Sequence, residues 1–180
     1  MSGHNKWSKI KNKKAVEDVK KSKLFSILSR TITLESKKAA GARESPGLRS
    51  AILRARAVNL PSENIDRAVT RGLSSEGALV EELVCEVYGP GGTAILVSTL
   101  TDRKNKTLAE IKQCLSRHEL SLAGEGSALW AFKKDGGKFV PLNTIQISAL
   151  DHQKLLSLIE NLRTLDDVED VFTNTPLEQA

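Results

Sequence analysis

The sequence has few of the residues on which disulfide frameworks, stacking platforms and membrane spans depend. Its 180 residues include two cysteines, three histidines and only 4% aromatic residues. So few cysteines exclude a disulfide framework, and so few aromatics argue against an extended base-stacking sheet. No apolar run reaches the about 18 residues of a membrane-spanning helix. The basic start has no apolar stretch or small-residue cleavage site typical of a secretory signal, so we expect a cytoplasmic protein.

Catalytic and metal-binding motifs are also missing. The chain has no GxSxG, HExxH or Walker A sequence, and the GPGG stretch at 89–92 is not followed by the Lys and Ser/Thr of a phosphate-binding loop. Cys114 and His118 have the i, i+4 spacing of a ligand pair, but no second pair stands nearby. The acidic run 166–170 lies at a predicted helix-to-strand junction, where solvated charge is the ordinary explanation. We therefore expect no enzyme, no metal and no cofactor.

Positive charge is concentrated in the first half. Residues 1–75 contain 17 Lys and Arg against 6 Asp and Glu, whereas residues 76–180 contain 10 against 16. The net charges of +11 and −6 predict a half that faces a polyanion and an acidic half with another task, such as recruiting a protein partner. Nucleic acid is the favoured polyanion. An anionic membrane is not, because Phe, Trp and Leu do not line one face of the opening stretch.

The opening stretch supplies most of the candidate nucleic-acid contacts. Its lysines can neutralise phosphates, which gives affinity without reading sequence. Trp7 either stacks on a base or pins the stretch onto the folded domain. We expect residues 1–14 to form a flexible or loosely docked arm, since SGHNKW favours turns and the lysines share no single helical face. The candidate binding residues are Lys6, Trp7, Lys9, Lys11, Lys13, Lys14, Lys20, Lys21, Lys23 and Arg30.

The rest of the first half predicts three helices. One is expected over 15–40, with an apolar stripe at Leu24, Leu28 and Ile32. A second begins after Ser45-Pro46, and a third follows Pro61 and stops at Gly72. The short connections predict a compact bundle, with room for a helix-turn-helix-like unit but no diagnostic turn sequence.

After a polar linker near 73–78 the pattern changes to short strands. Strands are expected at 83–88, 93–100, 128–133, 138–142 and 168–173, and helices at 108–118 and 151–165. Strands and helices in this order predict an α+β fold, with an N-terminal three-helix bundle followed by a ferredoxin-like α/β sandwich. The predicted domains are 1–75, a basic arm plus a nucleic-acid-binding three-helix domain, and 79–175, an α+β domain.

Several stretches together resemble one known family. GHNKWSKIKNKKAVEDVKKSKLFS at 3–26, NLPSENIDRAVTRG at 59–72, YGPGGTAILV at 88–97, DRKNKT at 102–107 and LDDVEDVFTN at 165–174 are similar in order to the YebC/PmpR family. That family includes mitochondrial translational activators of cytochrome c oxidase subunit I. The resemblance covers nearly the whole chain and rests on separate motifs.

The resemblance implies a role in gene expression and no enzymatic activity. Family members are commonly described as probable DNA-binding transcriptional regulators, and others act in translation on the ribosome. The chain departs from the family where a third domain is usually inserted into the second. Here ALWAFKK and FVPLNTIQI are joined only by DGGK at 135–138, which predicts a tight hairpin in place of the insert.

Two targets are therefore left open by the sequence. One is DNA, bound by a transcriptional regulator, and the other is ribosomal or transfer RNA, bound by a ribosome-associated translation factor. The resemblance favours DNA. The absence of an obvious dimerisation helix favours RNA, because helix-turn-helix readers of bases form two-fold dimers with defined half-sites.

Overall fold

The chain divides into two compact units, Met1–Gly77 and Ala78–Ala180. The computed structural model describes residues 4–74 and 80–177, with side chains from residue 17 onward. Among these residues, no helix is both long enough and apolar enough to cross a membrane.

The first unit is built from three helices and the second from strands and two helices. The expected α+β class, with an N-terminal three-helix bundle, is confirmed. The elements are α1 His4–Lys38, α2 Pro46–Ala57, α3 Ser62–Leu73, β1 Glu81–Tyr88, β2 Ala94–Thr101, α4 Lys104–Ser116, β3 Phe132–Asp135, β4 Lys138–Pro141, α5 Ala149–Thr164 and β5 Val168–Thr173.

The expectation of a non-helical arm over residues 1–14 is wrong from His4 onward, because α1 begins there and continues for 35 residues. No proline or glycine interrupts residues 4–40, and lysine and alanine are good helix formers. The preference of Ser, His and Asn for turns affects only the first few residues. The helical preference of the residues that follow decides the conformation of the rest.

One apolar core holds the bundle together. The second half of α1 contributes Leu28 and Ile32, and α2 and α3 each present an apolar stripe at helical spacing. Its buried members are Leu28, Ile32, Leu48, Ala51, Ile52, Ala55, Leu60, Ile65, Ala68 and Val69. In contrast, residues 17–22 of α1 are all exposed, so this part of the helix buries nothing against the bundle.

The backbones of α1 and α3 come into direct contact at Gly72. A methyl group on Gly72 would lie 2.5 Å from the carbonyl oxygen of Thr33 and 2.7 Å from Cβ of Ser36. The side chains of the same two α1 residues donate hydrogen bonds to α3 carbonyls. Thr33 Oγ1 donates to Ala68 O at 3.2 Å, and Ser36 Oγ donates to Val69 O at 2.8 Å. The prediction that Gly72 stops the helix is therefore wrong: α3 runs through it, and its missing side chain permits close packing.

The strands of the second unit form two separate antiparallel sheets. The larger has the order β1-β2-β5, and the smaller is the β3-β4 hairpin. The hairpin turns at Asp135–Lys138, and its two glycines have φ of 55° and 83°, values that glycine adopts without strain. The predicted DGGK hairpin is confirmed.

The larger sheet is covered on both faces, because successive strand residues point to opposite sides. Ile95 and Val97 of β2 pack with α4 and α5 in one core. Ala94 and Leu96 pack on the other face with Phe132 and the hairpin. The expected α/β sandwich is therefore completed by the hairpin on the side away from the helices.

A buried carboxylate fixes the loop that leads into the hairpin. Glu86 of β1 is 7% exposed and accepts backbone N–H bonds from Gly126 at 2.6 Å, Ala128 at 2.6 Å and Leu129 at 2.7 Å. Burial alone would raise the pKa of the Glu86 carboxyl. The three N–H donors outweigh burial, and its pKa is lowered from the ordinary value.

Gly72→Ala is expected to destabilise the first unit. Alanine is the better helix former by about 1 kcal/mol, but the overlap is with backbone and Cβ atoms that cannot swing away, and overpacking of this kind costs about 1–3 kcal/mol. We expect a lower free energy of unfolding in urea titrations. Gly124→Ala is the control, because its added methyl group meets nothing within 4 Å. Equal stability of Gly72→Ala and the native chain would contradict the close contact.

Glu86→Gln is expected to lower the free energy of unfolding by about 1–3 kcal/mol at neutral pH. Because the folded-state pKa of Glu86 is lowered, its stabilisation is fully present above the unfolded-state pKa and is lost as pH falls through the folded-state pKa. The difference between native and variant chains should therefore shrink in acid, as followed by urea titrations across pH. Glu125→Gln, in the exposed part of the same loop, is the control. A pH-independent difference would show that charge is not the cause.

Candidate nucleic-acid interface

The predicted basic residues lie along α1, and the structure shows the side chains of four of them. Lys20 and Lys21 are exposed, and Lys23 and Arg30 are partly exposed. Lys21 Nζ lies 5.4 Å from the centroid of the Phe25 ring, a cation–π contact that leaves the ammonium at the surface.

The other six predicted residues belong to the first turns of α1. Their backbone is helical, but their side chains lie outside the described part of the structure. These residues are Lys6, Trp7, Lys9, Lys11, Lys13 and Lys14. Whether Trp7 stacks on a base or pins the chain therefore stays open.

A second basic surface, which the sequence reasoning missed, lies on α2. This helix contains Arg49, Arg54 and Arg56 and no acidic residue. All three arginines are exposed, since none belongs to the buried stripe of α2. At 3.6 residues per turn, Arg49 and Arg56 lie on one flank of that stripe and Arg54 on the other. Arg54 and Arg56 lie in the last helical turn, where cations also interact favourably with the helix dipole, but Arg49 does not. A helix with three arginines and no acid was the signal available in the sequence.

The salt bridges described in this unit join carboxylates to cations outside α2. Asp66 lies 2.6 Å from Arg43, Glu35 lies 2.8 Å from Lys38, and Glu63 lies 3.6 Å from Arg67. Within residues 17–74, no carboxylate is in salt-bridge distance of Arg49, Arg54 or Arg56. The α2 arginines therefore keep their full hydrogen-bonding capacity for an anionic ligand.

The connection between α2 and α3 is short. It covers residues 58–61, and Asn59 has a left-handed φ of 61°, which asparagine tolerates better than most residues. The two helices are thus consecutive and closely spaced in sequence, as a helix-turn-helix-like unit requires.

The second unit offers no catalytic arrangement at the acidic run 166–170. Asp167 was expected to be solvated, but it is 4% exposed and accepts hydrogen bonds from Thr107 Oγ1 at 2.5 Å and Thr101 Oγ1 at 3.2 Å. This carboxylate links α4 and β2 to the start of β5. Its role is therefore structural.

The suspected Cys114–His118 pair does not form a metal site in the described residues. His118 Nε2 lies 2.9 Å from Asn161 Nδ2, and the described part of the chain contains no group of three His, Cys, Asp or Glu that could hold a metal. Cys85 and Cys114 are buried free thiols. Burial raises the pKa of both, with Lys104 and Arg117 respectively acting in the opposite direction.

Comparison with known proteins places both units in one family. Residues 5–75 match the TACO1/YebC protein N-terminal domain, and residues 80–138 match the TACO1/YebC second and third domain. Among solved structures, a conserved hypothetical protein from Aquifex aeolicus superposes with a TM-score of 0.81 and 26% identity, over 88% of this chain and 91% of that one.

Relatives with curated names agree with these matches. A "Probable transcriptional regulatory protein" of Dictyoglomus turgidum is 40% identical over 97% of this chain and 71% of its own length. One of Pseudothermotoga lettingae is 33% identical over 100% of this chain and 96% of its own length. That second alignment runs over 242 positions, of which at least 62 carry no residue of this 180-residue chain. With its two units matched in order to one family's models, this chain is a short member of the TACO1/YebC family.

Proposed function

We propose that this protein regulates transcription by binding DNA through the basic surface of its N-terminal unit. The observation that carries the proposal is the exposed surface of α2, which presents three arginines without an acidic partner among the described residues. Exposed lysines of α1 extend the positive charge. Relatives that carry the name "Probable transcriptional regulatory protein" support the regulatory role.

Phosphate recognition is the chemistry that this surface supports best. An arginine guanidinium presents two parallel N–H donors that match a phosphate, and it remains charged at any physiological pH. Contacts of this kind fix a protein on a duplex and provide affinity that falls with salt. We therefore expect binding to depend on charge first and on base sequence second.

The primary test measures binding of the full chain to a labelled DNA duplex by fluorescence anisotropy. With about four to eight phosphates contacted, the slope of log affinity against log salt should have a magnitude of about 4 to 7. A labelled RNA hairpin is titrated in parallel, because a ribosome-associated translation factor would prefer it. Tighter binding of the hairpin would overturn the DNA assignment, and the absence of binding to both would overturn the function.

Replacement of Arg49, Arg54 and Arg56 by Ala is expected to flatten the salt dependence, with the slope reduced in magnitude by about 2 to 3. The matched control replaces Lys38, Arg43 and Arg67 by Ala, which removes the same net charge but takes cations that already have carboxylate partners. The control should change the slope less. Equal effects of the two triple variants would show that net charge, and not the α2 surface, sets the affinity.

A further inference from the structure

The second unit exposes two aromatic side chains that no core requires. Trp130 is 64% exposed and Tyr88 is 43% exposed. The four phenylalanines of the chain are all buried or partly buried, and Phe132, Phe139 and Phe172 belong to or pack against one core of this unit. Among the described residues, exposed aromatic rings are therefore confined to this surface.

The two aromatic rings are held in place by one shared acceptor. The Trp130 indole Nε1 donates to Ser127 O at 2.6 Å, and the Tyr88 hydroxyl donates to the same carbonyl. Trp130 Nε1 also lies 3.4 Å from Tyr88 Oη. Since the polar atoms of both rings are bonded inside the protein, what remains for a ligand is the apolar ring surface.

The loop that supplies this acceptor is itself fixed. Glu86 binds the backbone N–H groups of residues on both sides of Ser127, so the position of the shared carbonyl depends on a buried carboxylate. An exposed aromatic pair with such support is preorganised, and preorganisation lowers the entropic cost of binding.

Positive charge lies beside the aromatic pair, in a unit that is otherwise acidic. Residues 129–142 contain Lys133, Lys134 and Lys138 against one carboxylate, Asp135, and all three lysines are exposed. The preceding loop, residues 117–128, adds two exposed acids, Glu119 and Glu125, and one exposed base, Arg117. Lys133 follows Trp130 by three residues, so their Cα atoms are no more than about 11 Å apart, a distance that a short stretch of nucleotides can bridge.

We propose that Trp130, Tyr88 and the lysines of the β3–β4 hairpin form a binding platform for single-stranded nucleic acid. A base stacks on the Trp130 ring, and the lysines neutralise neighbouring phosphates. Stacking tolerates any base and requires an unpaired one. The platform rests on the proposed function for the class of its ligand, but it lies on the other unit and reads a different form of nucleic acid.

The test uses the full chain carrying Trp7→Phe, in which Trp130 is the only tryptophan. Titration with an oligothymidylate should quench its fluorescence to saturation, because stacking brings a base onto the ring. A DNA duplex should leave the emission nearly unchanged while binding to the first unit. In parallel, anisotropy of labelled oligothymidylate reports the affinity itself.

In the native background, Trp130→Ala should weaken oligothymidylate binding between about fivefold and about 150-fold and leave duplex binding unaltered. Trp130→Phe should restore part of the affinity, because it keeps an aromatic face. Leu156→Ala is the matched control, since Leu156 is exposed on α5, on the opposite side of the larger sheet. Melting curves of all three variants report whether the fold is kept.

Five results would overturn the platform. Oligothymidylate that binds without quenching Trp130, or with the same affinity to Trp130→Ala, would reject it while salt-dependent duplex binding still upholds the proposed function. Loss of binding to every nucleic acid would reject both. Quenching by a proline-rich peptide but not by oligothymidylate would assign the aromatics to peptide recognition. A dimer that becomes monomeric in Trp130→Ala would assign them to contact between copies of the chain.

Discussion

The direct backbone contact between α1 and α3 is the constraint on which the first unit depends. It exists because Gly72 has no side chain and because Thr33 and Ser36 are small enough to fill the remaining space and donate to α3 carbonyls. The contact holds the second half of α1 in the bundle. The basic first half then continues from a fixed base, and α2 closes the remaining side of the core with its arginines directed outward. The placement of the charged side chains therefore depends on the small, uncharged residues at the contact between α1 and α3.

The second unit uses the two faces of a sheet for two tasks. The helices cover one face and provide the larger core. The other face receives the hairpin and the loop bound by Glu86. Because Glu86 and Tyr88 alternate with Cys85 and Val87 along β1, one strand anchors both sides. The same alternation brings the fixed loop and the exposed aromatic pair together.

Most regular elements could be predicted from the sequence because their signals are local. The stripe through Leu28 and Ile32, the proline at the start of α2 and the glycine pair of the hairpin each specify their own structure within a few residues. The class of fold followed from the order of these signals. Leu24, expected to share the stripe of Leu28 and Ile32, is 40% exposed and lies outside the core. The strand expected at 128–133 is wrong at its start, because β3 begins only at Phe132, after a 3-10 turn at Leu129–Ala131.

The features that sequence reasoning missed depend on contacts between distant residues. Gly72 resembles a glycine that ends a helix, and only its contact with α1 shows that it permits close packing of two helices. Asp167 lies in a run of acids, and only the contacts with Thr101 of β2 and Thr107 of α4 show that its carboxylate is bound inside the fold. The α2 arginines could have been found from the absence of acids in their helix. The pairing of Tyr88 with Trp130, 42 residues apart, had no local signal.

The uneven burial along α1 divides one geometric helix into two regions of different stability. Residues Leu28 to Ser36 are buried or partly buried, and we expect their amide hydrogens to exchange with solvent only when the bundle opens. Those of residues 17–22 depend on continuation of the helix from that segment, since these side chains are exposed, and helices without tertiary contacts are marginal in water. Fraying of the exposed region therefore occurs at little cost in free energy. Because this part of the helix continues from the bundle, a ligand that binds only the ordered region also stabilises the folded bundle by mass action.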